Sequence, residues 1–283
     1  MATPIQSFKL DRSIFNQEFY SSIRSFWFLD LPANASVAEM PTMKRWFGVG
    51  VSEAEKTAFD EECRRLGGAA LDSIGPSKLA LPTFESYDKE IEGCNGIAAP
   101  FLAEVQEAQK AEGERHAAET LLSLILLIDQ FSRNLNRDLA GLKVLYTHYD
   151  RLSFALVQAS MKLSPNPAEY EGFRYRPVYR SWLYMPLLHS EHLPSHDIVI
   201  SNLKASLSDM ETRDDKAAVE YINANLAAEE MHYTPIKEFG RFPHRNECLG
   251  RDTTEAEAEH LKDGKSSFGV KQGQKAEQKK DEL

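Results

Sequence analysis

Three observations predict an all-α fold. Apolar residues recur at the helical period along most of the 283 residues. Turn signals between alternating runs, which would mark β-hairpins, are scarce. Capping residues stand where helices should begin. Helix lengths and connections suit antiparallel helix pairs, and nothing repeats at a fixed period.

In chain order, residues 10–29 mix aromatic and polar positions and end in Phe26-Trp27-Phe28. Pro32 and Pro41 bracket a loop before Arg45-Trp46-Phe47. Ser52 is an N-cap candidate, with Glu53 and Glu55 favouring the positive end of a helix expected to reach Leu66. The glycines and prolines of 67–97 predict a long loop or insertion. A helix over 98–112 precedes the most apolar element, 117–134, in which Leu121, Leu122 and 124–128 leave almost no polar face. That run is shorter than the roughly 20 residues needed to span a bilayer, so it belongs in a protein core.

An amphipathic helix over 140–161 carries Leu142, Leu145, Tyr149, Leu152 and Leu156 at the helical spacing. Residues 164–177 form a second connecting insertion. An apolar helix over 178–193 should kink at Pro186, which cannot donate to the ladder and crowds the Trp182 carbonyl. Helices over 196–209 and 214–231 follow. Thr254 with Glu257 forms a capping box for a last short helix. Residues 1–263 are expected as one helical domain, and the Lys/Gln/Gly/Glu composition of 264–283 as a disordered tail.

Hydrophobic residues at 42% and charged residues at 27% describe a soluble globular chain. With 43 acidic against 33 basic residues the formal net charge is −10, which repels phosphate backbones and anionic membranes alike. Neither nucleic acid nor membrane is therefore expected as a partner; protein partners are left open. Cys63, Cys94 and Cys248 show no knuckle or redox spacing and read as reduced, buried thiols. The N-terminal stretch is broken by Lys9, Asp11, Arg12, Glu18 and Arg24, unlike a signal peptide. Lys280-Asp281-Glu282-Leu283 spells an ER-retrieval address, here taken as a by-product of the charged tail, with a cytoplasmic location expected.

Three polar runs adjoin or interrupt apolar stretches, where unpaired polar groups are costly. The first is Asp129-Gln130-Phe131-Ser132-Arg133-Asn134. Asp129 and Arg133, four apart, share a helix face and can pair, either to fix helix geometry or to hold the arginine ready for a carboxylate or phosphate. The second is Pro186-Leu187-Leu188-His189-Ser190-Glu191, where His189 is a candidate general acid or base and Glu191 a companion carboxylate, although two residues apart on one helix they face different ways. His189, His192 and His196 fall at i, i+3 and i+7, but Pro194 breaks the spacing, so no metal is expected. The third is Gly240-Arg241-Phe242-Pro243-His244-Arg245-Asn246, either a solvated basic turn pairing with the acidic surface or a turn whose Phe242 wants burial and would draw its flanking arginines, Arg241 and Arg245, inward, with His244 between them.

At these runs the chain resembles a family known as domain of unknown function 924, found in bacteria and fungi. The family's runs are a Leu-rich helix ending Asp-Gln-Phe-Pro-Arg-Asn, then Pro-Phe/Leu-x-His-Ser-Glu-Asp, then Gly-Arg-Phe-Pro-His-Arg-Asn. The resemblance extends from about residue 17 to 262, with Phe26-Trp27-Phe28 and Arg45-Trp46-Phe47 matching its aromatic pairs and Leu249-Gly250-Arg251 following the third run. Ser132 stands where the family has proline, and His192 where it has aspartate. The resemblance implies an all-helical fold similar to a tetratricopeptide-like array of helix pairs, and no reaction.

Two functions remain. One is a pocket for an anionic small molecule, with a cofactor-free hydrolytic, lyase or isomerase step: Asp129, Arg133, Asn134, Arg241, Arg245 and Asn246 would bind, and His189, Glu191 and His244 would act on protons. The other is a protein–protein interaction scaffold in which the same runs lock neighbouring helices. Convergence of the runs on a cavity separates the two.

Overall fold

The structure, a computed structural model, describes residues 2–29, 31–32 and 34–263. The expected polar tail and its terminal tetrapeptide lie outside these residues. The described chain is all-α apart from a two-residue parallel pairing of β1 (Thr3–Pro4) with β2 (Leu79–Ala80). Helices α1 (Gln17–Phe28), α2 (Met40–Phe47), α3 (Glu53–Ser73), α4 (Tyr87–Ile97), α5 (Ala99–Glu112) and α6 (Glu114–Ile125) form the first half. Then come α7 (Ser132–Leu135), α8 (Leu139–Val144), α9 (Asp150–Ser160), α10 (Glu171–Arg174) and α11 (Pro177–Leu188). Finally α12 (Leu193–Thr212), α13 (Lys216–Phe239), α14 (Asn246–Leu249) and α15 (Glu255–His260) complete the chain. No helix among the described residues is long and apolar enough to cross a membrane.

The apolar run organises the core. Leu121, Leu122 and every residue of 124–128 are fully buried, because α1, α5, α9 and α11 all pack on α6 and the turn that extends it. Each such side chain contributes about 1.5–3 kcal/mol by leaving water. The aromatic pairs of the N-terminal third close one end: Trp27 stacks on Trp46 at 6.2 Å, and both meet Trp182 of α11 edge-on at 5.1 and 5.2 Å. Helices α5–α6 and α12–α13 form hairpins, and α4 lies along α9.

Several boundaries differ from the sequence reading. Residues 67–97 are not a long loop: 67–73 complete α3 and 87–97 form α4. The misleading glycines have a packing cause. A Cβ on Gly67 would fall 2.7 Å from the Phe131 ring, so glycine lets α3 approach the core helix closely. Residues 164–177 likewise contain a 3-10 turn, Pro167–Glu169, and α10. The helix expected over 178–193 stops at Leu188, two residues past Pro186, and α12 begins at Leu193. The proline thus lies in the final turn of α11, and His189 and Glu191 fall in a corner between two helices rather than on a continuing helix. The capping boxes at Ser52/Glu55 and Thr254/Glu257 both form.

Candidate functional site

Two π-helical turns build the site. The first, Leu126–Phe131, extends α6 and carries Asp129; the second, Leu145–Tyr149, joins α8 to α9 and ends just before Asp150. Such turns widen a helix and redirect its side chains, and they are frequent at functional sites. Here they turn two carboxylates inward to either side of one guanidinium. Arg133 Nη2 lies 3.3 Å from Asp129 Oδ1 and 2.6 Å from Asp150 Oδ1. The Ser132 hydroxyl donates to the Ile128 carbonyl within the first turn.

His189 is the first residue beyond α11, and its Nδ1 sits 3.0 Å from Asp129 Oδ1. Gln130 Nε2 donates to the other carboxylate oxygen at 2.6 Å. Burial opposes ionisation of Asp129, but His189, Arg133 and these hydrogen bonds prevail and hold its carboxyl well below the usual range. Burial, reinforced by Arg133, pushes His189 below its ordinary value against the pull of Asp129. The ring is therefore neutral near pH 7, donates its Nδ1 proton to Asp129, and keeps its lone pair on Nε2. No described residue hydrogen-bonds that nitrogen, and the side chain retains 15% of its exposure.

The third run closes over this pair. Gly240 ends α13 in the left-handed conformation at φ 71°, Phe242 is extended and fully buried, and Pro243–Arg245 make one 3-10 turn. Burying Phe242 throws Arg245 inward, over the Tyr146 and Phe242 rings at 4.2 and 4.6 Å. Its Nη2 donates to the His189 carbonyl at 2.8 Å and its Nη1 lies 3.5 Å from Asp150 Oδ2. His244 tilts against Phe242 at 5.3 Å, and burial together with Arg245 drives it well below its normal value. His189, Asp150, Tyr146, Tyr87, Glu90 and Pro186 contribute to the lining of a cavity of about 10 Å³, room for about one water.

Of the residues singled out by the sequence, Asp129, Arg133, His189 and Arg245 meet, with His244 beside them. The others take partners nearby. Glu191 accepts from Phe242 N at 2.8 Å and from both Nη atoms of Arg251 at 2.8 and 2.9 Å, so it clamps the third run to the α11–α12 corner. Arg241 forks onto Glu257 at 2.6 and 2.9 Å, and Asn246 Nδ2 reaches Glu257 and Thr253 at 3.3 Å. Asn134 lies between the Gln130 carbonyl and Arg137. The three closely spaced histidines diverge: His192 contacts Ser195 and Asp88, and His196 contacts Glu229. Among the described residues no group of three or more His, Cys, Asp or Glu could hold a metal.

Sequence reading missed Asp150 and His232. Asp150 opens α9 immediately after the π-helical turn, a register shift that periodicity does not show. His232 of α13 lies 6.2 Å from His189, ring to ring, and burial pushes its own value down to about 3. Opposite charges balance in the cluster: Asp129 and Asp150 against Arg133 and Arg245.

Comparison with known proteins places this geometry in a family without an assigned reaction. No curated protein matches the chain. A solved structure of a protein of unknown function from Agrobacterium tumefaciens is similar at 21% identity, covering 75% of this chain and 100% of that one with a TM-score of 0.37. A family model described as bacterial protein of unknown function, DUF924, matches residues 23–265, which include all three polar runs. The chain belongs to that DUF924 family.

Proposed function

We propose that the protein is a cofactor-free enzyme acting on an anionic small molecule, with His189 as general base and Asp129 as the group that orients it. The observation that carries this reading is the Asp129–His189 pair, in which an ionised, fully buried carboxylate fixes the Nδ1 proton and leaves Nε2 unengaged. That arrangement takes a proton from water or substrate at Nε2 while Asp129 stabilises the imidazolium formed. The small cavity beside His189 suits a single attacking water, which favours hydrolysis among the cofactor-free reactions.

Arg133 and Arg245 supply the positive charge for the substrate anion. Before substrate arrives Asp129 and Asp150 balance them, Asp150 pairing with both, but burial raises the Asp150 carboxyl toward protonation. A substrate anion brings its own charge, so Asp150 can take up a proton and release the arginines. His244 closes the chamber as a neutral ring. Glu191, Asn134, Arg241 and Asn246 act on this reading as wall residues that hold the three runs in register.

Those four locally paired residues favour a second reading, an interaction scaffold in which every polar run is a helix lock. A panel of phosphate, carboxylate and amide ester substrates, assayed with wild type, His189→Gln and Asp129→Asn, separates the two. Hydrolysis lost in both variants, with folding retained, supports the enzyme. Hydrolysis that persists in His189→Gln overturns the general base. No turnover, together with no thermal shift from any anion, favours the scaffold.

A further inference from the structure

A hollow of about 270 Å³ opens between the Pro167–Glu169 turn, α10, α11 and α12, and it shares no lining residue with the His189 cavity. Its wall is built of charge pairs. Arg174 forks onto Asp209 with two bonds of 2.9 Å, and Arg180 Nη2 donates to Glu169 at 2.7 Å. The Arg180 side chain is only 10% exposed, yet its Nε finds no hydrogen-bond partner. The same guanidinium also lines an adjoining hollow of about 30 Å³, where Asn202 Oδ1 is likewise unpartnered. Glu169 and Ser206 hold the Arg180 head in place as a fixed edge of the larger hollow.

The chemistry of the wall selects the molecule. Glu169, Glu171 and Asp209 outnumber Arg174 and Arg180, so the hollow carries one net negative charge and disfavours a free anion. Paired guanidinium and carboxylate groups present donors and acceptors side by side, which suits vicinal hydroxyls that both donate and accept. The Tyr170 ring adds an apolar surface for the C–H face of such a molecule. The volume lies near the lower bound of about 300 Å³ for small-molecule sites. We propose that this hollow binds a small, neutral, polyhydroxylated molecule of monosaccharide size, oriented by Arg180 and the Arg174–Asp209 fork.

Ligand-observed NMR and calorimetry on the full chain, with D-glucose, D-ribose and inorganic phosphate as probes, test this. Ala205 is an exposed position of α12 on the rim, so Ala205→Trp fills the hollow without touching either charge pair. The expected result is saturable sugar binding at millimolar concentration, weakened at least about tenfold by Ala205→Trp and unchanged by His189→Gln. Arg180→Lys should weaken it too; if that variant does not fold, Ala205→Trp carries the test alone. Absence of sugar binding, binding indifferent to Ala205→Trp, or binding of phosphate in place of sugar overturns the proposal.

Discussion

Two histidine–carboxylate pairs lie inside the fold among the described residues, and their surroundings differ. His189 Nδ1 meets Asp129 at 3.0 Å; His196 Nδ1 meets Glu229 at 2.6 Å. In the second pair Nε2 is also taken, donating to the Ser190 carbonyl at 2.9 Å, and both side chains are 0% exposed. A carbonyl only accepts, so His196 Nε2 carries a hydrogen, and a single further proton is shared between Nδ1 and Glu229. Asp129 has a cationic partner in Arg133 beside the neutral His189 ring and stays ionised, whereas burial raises Glu229. Residue types alone do not make a proton-transfer site. On the proposed reading, an unengaged second nitrogen and a cation that keeps the carboxylate charged set the first pair apart.

Activity gives the largest contrast. Asp129→Asn should remove the acceptor that fixes the His189 tautomer and lower turnover by about 10⁴-fold, and His189→Gln should abolish general-base catalysis worth about 10²–10⁴-fold. His196→Gln should leave turnover intact and lower stability by about 1–3 kcal/mol, because Glu229 and the Ser190 carbonyl lose a partner. Diethyl pyrocarbonate labelling followed by peptide mapping checks the comparison without a known substrate. His189 should be modified and His196 protected; equal protection would remove the distinction between the pairs.

Arg245 comes next. The sequence makes it a ligand-binding candidate, and in the fold it sits between two aromatic rings and against Asp150 and the His189 carbonyl. Arg245→Ala leaves Asp150 paired with Arg133 and removes the charged hydrogen bond to the His189 carbonyl, and should cost about 1.5–3 kcal/mol in denaturant unfolding. An unchanged unfolding midpoint would show that the cluster tolerates the loss and would restore a purely ligand-binding role.

Much of this was legible in the sequence, and the exceptions have physical causes. Phe242 between two arginines announced the inward turn, and the three runs named four of the residues that meet. What periodicity could not carry was the pair of π-helical turns, because one inserted residue rotates every later side chain without altering composition. Glu191, two residues from His189, was expected to face away from it on one helix, but nothing in the periodicity showed that Asp129, sixty residues away, would be its hydrogen-bond partner. Gly67 was misread for a similar reason: close helix approach and loop formation both demand glycine, and sequence alone does not separate them.

The two pairs should also respond to pH in opposite directions. Asp129, lowered from 3.8, contributes stability that is complete above that value and lost as pH falls through its depressed folded value. Glu229, raised from 4.5, contributes stability present below 4.5 and lost as pH rises through its folded value. His189, lowered from 6.5, adds a loss that begins as pH falls below 6.5 and the unfolded chain takes up the proton. Melting temperatures from pH 2 to 8 should show the Asp129→Asn penalty growing from pH 2 to about 5 and then staying level at about 3 kcal/mol. Glu229→Gln, which mimics the protonated acid, should improve relative to wild type over the same climb. Parallel curves for the two variants would mean that both carboxyls carry the same charge in the fold.

The smallest effect tests whether the third run acts as one unit. Arg241 and Arg245 lie four residues apart, but Arg241 turns outward to Glu257, whose carboxyl that fork and the α15 cap hold at about 2. Arg241→Lys keeps a positive charge opposite Glu257 and loses the second prong and the bond to the Asp252 carbonyl. It should cost about 1 kcal/mol in unfolding free energy and leave turnover unchanged. If turnover instead falls as far as in the His189 variant, the anchoring of α15 is transmitted to the buried pair, and the contrast between an inward and an outward arginine fails. If only stability moves, burial of Phe242 has sorted two arginines of one short run into separate roles.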